Sequence, residues 1–246
     1  MISISLVSHN QFDLVLQFLK SVSKISKNNH LFFIITINTP EEICEKSLQS
    51  IIGANYKLII NSKELGFGAN HNNAAKYAVG NIFIISNPDI EVISLDLEAL
   101  VQETNNPDFL LAPLCLEEDI SKACYDYRSF PYLHRVIIKK IRNFFNLPNK
   151  FKSDDDSRYA WFPGYFMIVD INLFNKIGGF DTKFFMYCED VDLCLRVKKE
   201  GIKILNSDHV VVRHIGQFQS HKSIYYLFIH IASLVRLNLR MLKSVY

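Results

Sequence analysis

Residues 31 to 37 read Leu-Phe-Phe-Ile-Ile-Thr-Ile, an almost uninterrupted apolar run. Such runs are typical of strands buried on both faces, as in parallel sheets that are covered by helices on each side. Similar strand patterns occur at Ile2 to Val7, Tyr56 to Ile60 and Ile82 to Ile85. Helical periodicity separates these strands, at Gln11 to Ile25, Glu41 to Ile52 and Asn70 to Val79. The alternation predicts an α/β fold with a Rossmann-like, mostly parallel sheet flanked by helices.

The ends of these strands predict where a ligand binds. In open parallel sheets, ligands bind beyond the carboxyl ends of the strands. That edge would carry Ser8, Asn38, Asn61 and the turn Asn87-Pro88-Asp89. Further along the chain, the patterns predict a strand at Tyr165 to Val169, helices at Asn172 to Lys176 and Glu189 to Glu200, and a strand within Lys203 to Arg213.

The composition narrows the class of protein. The chain has 246 residues, of which 49% are hydrophobic, so it can bury the core of one large domain. The net charge of +2 gives no general case for nucleic-acid binding. The five cysteines form no CxxC pair, which indicates buried thiols in a reducing cytosol. With no basic leader and no apolar stretch of about 20 residues, neither a secretory signal nor a membrane span is expected.

Two loops at the predicted ligand edge have both a functional and a plain structural interpretation. Asp89 ends an apolar strand and would suit a divalent cation, although Asn-Pro-Asp is also an ordinary turn sequence. Gly66 and Gly68 would let a diphosphate approach a helix N-terminus, or would simply form a capped loop. The dinucleotide-binding fingerprint fails because His71 holds its third glycine position, which disfavours a dehydrogenase.

The most informative stretch for chemistry is Cys188-Glu189-Asp190-Val191-Asp192-Leu193-Cys194-Leu195-Arg196. Three carboxylates at one helix start suit the helix dipole, but a carboxylate beside apolar surface is also a better general base. For Asp192 we favour a structural role, with Arg196 pairing with one of the acids. His214 ends a strand and is either a metal ligand or an ordinary surface histidine.

Together these motifs resemble glycosyltransferase family 2, whose members have the GT-A fold. The resemblance extends to about His214 and rests on motifs in the family's order: Ser8-His9-Asn10, Gly66-Phe67-Gly68 with Asn72-Asn73, Asn87-Pro88-Asp89, Gly178-Gly179-Phe180-Asp181, the acidic stretch with its prefix Phe185-Met186-Tyr187, and His214. Within the family, the chain is similar to rhamnosyltransferases of O-antigen and surface-polysaccharide assembly. That similarity is carried by Tyr125-Asp126-Tyr127, Arg128-Ser129-Phe130-Pro131 and the sequence around Trp161.

The resemblance implies a role for each matching residue. Asp190 would be the catalytic base, supported by Glu189, and Asp89 and His214 would bind Mg2+ or Mn2+. Trp161, Gly164 and Glu189 would contact the acceptor. The donor would be bound by Ser8, Asn10, Asn38, Gly66, Phe67, Gly68, Asn72, Asn87 and Asp89. Asn38 departs from the family, which usually has an aspartate there to bind the pyrimidine, although an amide can also pair with a base edge.

The resemblance also implies a reaction, which is inverting transfer of L-rhamnose from dTDP-L-rhamnose to a polyprenyl-diphosphate-linked sugar such as N-acetylglucosamine. One alternative keeps the fold but uses a UDP-sugar to transfer a hexose or N-acetylhexosamine. Another is a non-catalytic sugar-nucleotide-binding scaffold subunit, against which the intact Glu189-Asp190 pair argues.

Two basic amphipathic segments predict contact with an anionic membrane surface. Tyr132 to Leu147 has apolar residues at helical spacing with Arg and Lys between them. In the C-terminal segment, Arg236, Arg240 and Lys243 form a basic stripe, while Val235, Leu239, Leu242 and Tyr246 form an apolar one. Each segment could instead pack on the domain or in a homodimer interface. We therefore expect a catalytic domain at 1–220, a helical tail at 221–246, and a cytoplasmic protein held peripherally on the inner face of the cytoplasmic membrane.

Overall fold

The computed structural model describes residues 1–26, 30–116, 123–131, 160–215 and 224–243, together with Ile138 and Arg142. The predicted amphipathic segment from Tyr132 to Leu147 therefore lies outside the described residues, apart from Ile138 and Arg142. Seven helices and eleven strands are assigned within the described part of the chain.

Four parallel strands begin the sheet, as the apolar runs predict. They are β1 (Ile2–Ser8), β2 (Leu31–Ile37), β3 (Tyr56–Ile60) and β4 (Ile82–Ser86), in the order β3-β2-β1-β4. The side chains of β2 are buried at six of its seven positions, which accounts for its continuous apolar sequence. Because the four strands are parallel, the residues at their carboxyl ends lie at the same edge of the sheet.

The sheet continues with strands from the second half of the chain. The seven further strands are β5 (Ile90–Leu95), β6 (Leu110–Leu116), β7 (Ala123–Cys124), β8 (Arg128–Ser129), β9 (Ala160–Trp161), β10 (Phe166–Asp170) and β11 (Ile204–His214). The order is β4-β10-β6-β11-β5, with β7 added to β6 and with β8 and β9 forming a separate pair. Strand β10 is antiparallel to β4 and β6, and β5 is antiparallel to β11, whereas β6 and β11 are parallel. Among the described residues, six of the nine strands of the main sheet run in one direction, so the sheet is mostly parallel in strand direction, as expected, although four of its eight pairings are antiparallel.

Helices cover both faces of the sheet. They are α1 (Phe12–Ile25), α2 (Glu45–Ile52), α3 (Phe67–Ala75), α4 (Leu97–Glu103), α5 (Ile171–Lys176), α6 (Glu189–Lys199) and α7 (Ile224–Lys243). One core cluster joins α1 and α2 to one face of the central strands. A second cluster joins α3, α5 and α6 to the other face, and both clusters are built from aliphatic and Phe side chains. The predicted α/β architecture is confirmed.

Two differences from the sequence prediction affect the site. Helix α3 begins at Phe67, three residues before the predicted start at Asn70, with Gly66 at its N-cap. Residues 90–116, to which the sequence patterns assign no element, form β5, α4 and β6. Strand β5 follows directly after Asp89 and therefore fixes its position next to the end of β11.

Candidate active site

The polar residues at the ends of the first strands come together as predicted. The backbone N–H of Asn38 donates to the Ser8 carbonyl at 2.9 Å, and that of Asn61 donates to the Ile37 carbonyl at 3.0 Å. The amide of Asn61 also donates to Asn38 Oδ1 at 2.9 Å. The Asn87 N–H donates to the carbonyl of Tyr165 at 2.8 Å, which joins this edge to the start of β10.

The Asn38 side chain, predicted to contact the donor base, is engaged with the protein backbone. Its Nδ2 donates to the Leu65 carbonyl at 2.9 Å, and its Oδ1 accepts from the Leu65 N–H at 2.9 Å. Only 5% of the residue is exposed. Asn38 therefore closes the loop before α3, and contact with a base would require it to exchange these hydrogen bonds.

The predicted donor residues before and within α3 contact the loop that precedes the acidic stretch. A Cβ at Gly66 would lie 2.4 Å from the Phe185 carbonyl oxygen, and one at Gly68 would lie 2.5 Å from Cβ of Phe180. The Phe67 N–H donates to the same Phe185 carbonyl at 2.9 Å. Close packing of two protein segments thus explains these glycines without reference to a diphosphate.

Asn72 joins the same two segments. Its Nδ2 donates to the Phe180 carbonyl at 2.8 Å, and its Oδ1 accepts from the Phe180 N–H at 2.8 Å. Both hydrogen-bonding groups of this side chain therefore hold the Gly178-Gly179-Phe180-Asp181 turn. Ser8 is similarly internal: it is fully buried, and its Oγ accepts from the Gln11 N–H at 3.2 Å.

Asn10 differs from Ser8 because its side chain is exposed at the ligand edge. Its backbone lies in the left-handed region, with φ of 57°. Asparagine tolerates this conformation better than most residues. The geometry leaves Asn10 accessible to a ligand beyond β1.

The two predicted metal ligands lie side by side, although 125 positions separate them in the sequence. His214 Nε2 is 3.3 Å from Asp89 Oδ2. The backbone supports this arrangement, because the Ile215 N–H donates to the Asp89 carbonyl at 3.0 Å. The ring of Tyr165 stacks on the His214 imidazole, with centroids 4.8 Å apart and planes at 16°. A carboxylate and an imidazole held this close can share a divalent cation.

The predicted base, Asp190, is fixed by backbone donors at the start of α6. Its Oδ2 accepts from the Gly164 N–H at 2.9 Å, and its Oδ1 accepts from the Val191 N–H at 2.8 Å. A Cβ at Gly164 would lie 3.1 Å from Asp190 Cβ, so glycine permits this close approach. The Asp190 side chain remains partly exposed, which makes it available to a substrate hydroxyl.

Burial raises the proton affinity of both carboxyls. Desolvation, and then the charge of Asp190, raise the pKa of Glu189 well above its ordinary value. Desolvation also raises the pKa of Asp190, and the N–H groups of Gly164 and Val191 oppose that rise. Glu189 is 6% exposed, and its Oε2 has no hydrogen-bond partner among the described residues. The pair therefore combines a basic, accessible carboxylate with a buried neighbour.

Residues 164 and 165 connect the carboxylate pair to the Asp89–His214 pair. Gly164 binds Asp190, and the next residue, Tyr165, stacks on His214. Sequence reasoning treated Tyr165 only as a strand residue, and no periodic signal distinguishes it. The two pairs consequently belong to one site.

Arg128 is a second site residue to which sequence reasoning gave no role. It binds Asp126 through two hydrogen bonds of 2.9 and 2.7 Å, and its guanidinium carbon lies 5.7 Å from the Trp161 ring centroid. Its positive charge acts on Asp190 and lowers the pKa of that carboxyl, although less than burial raises it. The motif Arg128-Ser129-Phe130-Pro131, noted above for its similarity to rhamnosyltransferases, was the available signal.

The structural role predicted for Asp192 is confirmed. Asp192 is fully buried, and its Oδ2 accepts from Arg196 Nε at 2.8 Å, one helical turn along α6. Arg196 Nη1 donates in turn to the Ile177 carbonyl at 2.7 Å. Asp192 and Arg196 thus anchor α6 to the turn after α5.

The sheet is mostly parallel, carboxylates lie beyond its strand ends, and a carboxylate-bearing helix lies beside an Asp–His pair. This combination is typical of GT-A glycosyltransferases. Residues 3–195 match the family described as glycosyl transferase family 2, so the chain belongs to that family. It is a transferase of sugars.

Particular relatives refine this classification. The chain is 31% identical over 218 residues to the rhamnosyltransferase WbbL of Escherichia coli (strain K12), covering 83% of this chain and 79% of that protein. A 42-residue segment is 45% identical to the N-acetylglucosaminyl-diphospho-decaprenol L-rhamnosyltransferase of Mycobacterium tuberculosis, over 17% of this chain and 14% of that one.

The fold is also similar to that of a solved mannosyltransferase, PcManGT from Pyrobaculum calidifontis, in complex with GDP-Man and Mn2+. The TM-score is 0.63 at 15% sequence identity, over 97% of this chain. The chain spans 64% of the length of that mannosyltransferase. This similarity confirms the GT-A fold.

Proposed function

We propose that the chain transfers L-rhamnose from dTDP-L-rhamnose to N-acetylglucosamine carried on polyprenyl diphosphate. The observation that carries the proposed chemistry is the Asp190 carboxylate, fixed by two N–H groups and flanked by the buried Glu189. The choice of rhamnose and of the acceptor rests on the similarity to WbbL and to the mycobacterial enzyme, whose name specifies rhamnose and a lipid-linked N-acetylglucosamine. The dTDP carrier is what the family resemblance implies.

The reaction is a single displacement at the anomeric carbon. The acceptor hydroxyl oxygen attacks that carbon as its proton passes to Asp190, and the bond from the anomeric carbon to the donor diphosphate breaks. Attack opposite to the leaving group inverts the anomeric configuration. The raised pKa of Asp190 suits it to hold this proton in the transition state.

Asp89 and His214 would hold a divalent cation, Mg2+ or Mn2+. Their oxygen and nitrogen donors lie 3.3 Å apart and fit such an ion. Within the described residues, no group of three or more His, Cys, Asp and Glu side chains forms a metal site. A cation held there would neutralise charge that develops on the leaving diphosphate.

The substrates would occupy opposite sides of residues 164 and 165. On the donor side we retain Asn10, Asn87 and Asp89, whereas Asn38, Asn72, Gly66 and Gly68 would support the site through the backbone contacts described above. On the acceptor side, Gly164 binds Asp190 and the Trp161 ring lies against Arg128, which adds a positive charge suited to a lipid-linked diphosphate.

The lipid-linked acceptor would bring the protein to the inner face of the cytoplasmic membrane. No helix in the described ranges is long and apolar enough to cross a bilayer. Helix α7 nevertheless exposes Phe228, Ile231, Val235, Leu239 and Leu242, which recur at helical spacing. This face would lie on the membrane surface, and co-sedimentation with anionic lipid vesicles measures that contact.

The variant Asp190→Asn tests the proposed base. We expect it to lose turnover of dTDP-L-rhamnose by at least about 100-fold, because general-base catalysis contributes roughly 10²–10⁴-fold. Donor binding, measured by calorimetry, should survive. The matched control is Asp108→Asn, a surface position with φ of 62° where asparagine is tolerated. Near-normal turnover in Asp190→Asn would show that Asp190 is not the catalytic base. If the unmodified protein binds the donor but transfers no sugar, the scaffold alternative is favoured.

A UDP-sugar donor is the second candidate. It stays a candidate because the engagement of Asn38 with Leu65 leaves recognition of the pyrimidine to other groups and does not distinguish uracil from thymine. Donor-dependent thermal stabilisation with dTDP-L-rhamnose, UDP-sugars and GDP-sugars discriminates between the two, because a ligand that binds only the folded state stabilises it more the further its concentration exceeds its Kd.

A further inference from the structure

Helix α7 contacts the segment that leads into the carboxylate pair. Ser233 Oγ donates to the Met186 carbonyl at 2.9 Å. The His230 ring stacks on Tyr187, with centroids 4.7 Å apart. Through these contacts, the C-terminal helix holds the residues immediately before Glu189.

The backbone of that segment is held in an uncommon conformation. Tyr187 and Cys188 have φ of 68° and 66°, in the left-handed region that non-glycine residues rarely adopt. Such conformations persist where surrounding structure enforces them, and they cluster at functional sites. Leu234 and Leu237 of α7 are buried in one cluster with Cys188, so α7 supplies part of that surrounding structure.

A second connection joins α7 to α6 through charge. Arg240 Nη1 lies 2.9 Å from Asp181 Oδ2 and 2.6 Å from Asp192 Oδ1. Asp192 is fully buried, and its other oxygen is bound by Arg196. A buried carboxylate is costly unless cations and hydrogen bonds compensate it, so both arginines contribute to keeping Asp192 in place.

We propose that Arg240 is a positioning residue for the transfer reaction, acting through Asp192 on the first turn of α6. Asp192 lies two residues after Asp190, and its backbone N–H closes that turn by donating to the Cys188 carbonyl at 3.0 Å. The proposal rests on the proposed role of Asp190 as the base. Arg240 belongs to the basic stripe expected from the sequence, and although its side chain is 40% exposed, its guanidinium reaches Asp181 and the buried Asp192.

Kinetics of Arg240→Ala test this role. We expect kcat to fall by about tenfold or more with little change in the donor KM, since a small misplacement of a catalytic group can cost up to about 10²-fold. Arg240→Lys keeps the charge and should restore most of kcat. The matched control is Lys176→Ala, which removes an exposed ion pair with Glu200 of 3.0 Å and should leave kcat unchanged.

Hydrogen exchange of residues 185–199 gives a readout that needs no substrate. Arg240→Ala should accelerate exchange there, while Arg240→Lys and Lys176→Ala should not. Unchanged kcat and exchange in Arg240→Ala would overturn the proposal, as would a lower melting temperature with an unchanged kcat for the folded enzyme. If the unmodified protein transfers no sugar, the proposed function fails. Accelerated exchange in Arg240→Ala would still support the contact between Arg240 and Asp192.

Discussion

Glu189 is a buried carboxyl next to a second carboxyl, Asp190, and this arrangement opposes folding at neutral pH. Its folded-state pKa is raised above the unfolded value by burial and by Asp190. As pH rises from the unfolded toward the folded pKa, the unfolded chain loses this proton first, and stability falls. The cost is absent below the unfolded pKa and complete above the folded one.

The variant Glu189→Gln should therefore be more stable and less active. We expect its melting temperature at pH 7 to rise by about 2–4 °C for each kcal/mol that the substitution adds to the free energy of unfolding. Turnover should fall. The gain should disappear below about pH 4, near the unfolded pKa of glutamate. Glu42→Gln, at an exposed position, is the control for calorimetry across this pH range. A melting temperature that falls at pH 7 would contradict the electrostatic account.

At the level of residues, sequence reasoning predicted which residues would come together but not all of their contacts. The edge rule for parallel strands predicted Asn38 and Asn87 together, and the family resemblance implied that Asp89 and His214 would bind the same metal ion. Sequence could not show that the Asn38 and Asn72 amides bind backbone groups, because those partners come from distant loops. The same reason explains why Tyr165 was missed, since its stacking partner is 49 positions away.

Helix α7 is the element for which the structure adds most to the sequence pattern. The sequence predicts an amphipathic helical tail that contacts a membrane or packs on the domain, and in the structure Leu237 is fully buried in a cluster with Phe184 and Val191. Ser233 and Arg240 add polar contacts from the same face. The hydrophobic pattern alone did not indicate which side of α7 would be covered, because apolar residues lie on both sides.

Substitution of Leu237 measures how strongly α7 is coupled to the domain. Leu237→Ala should lower the free energy of unfolding by about 2–5 kcal/mol, the usual range for a buried leucine. Leu239→Ala, where the side chain is 55% exposed, should change it by about 0.5 kcal/mol or less. Denaturant unfolding followed by circular dichroism gives both values. Equal small effects would mean that α7 is only loosely attached.

The elements that sequence patterns missed have physical reasons for being difficult. Strand β6 contains Pro113, which cannot donate to a ladder and normally argues against a central strand. Its partner β11 accommodates this, because the pairing shifts register between Ser207 and Val211, directly after the Pro113 pair. The start of helix α3 was predicted three residues too late because glycine usually signals a loop. Gly66 and Gly68 are instead explained by close packing against Phe185 and Phe180.

At the scale of the whole molecule, the first strands and helices form one half of the site and the later ones the other. Asp89 follows the parallel strands, while Glu189, Asp190 and His214 come from the second half of the chain. Residues 164 and 165, at the start of β10, join the halves. The family resemblance, carried by the order of these motifs along the chain, implied that these residues would come together.

The most direct test of the account is sugar transfer itself, in vitro with purified protein and Mg2+ or Mn2+. Labelled dTDP-L-rhamnose and N-acetylglucosaminyl-diphospho-polyprenol are the substrates, with UDP-sugars as alternative donors, and nuclear magnetic resonance reports the new anomeric centre. The account predicts one lipid-linked disaccharide from dTDP-L-rhamnose, with the anomeric configuration inverted relative to the donor. A product formed only from a UDP-sugar, or one with retained configuration, would contradict it.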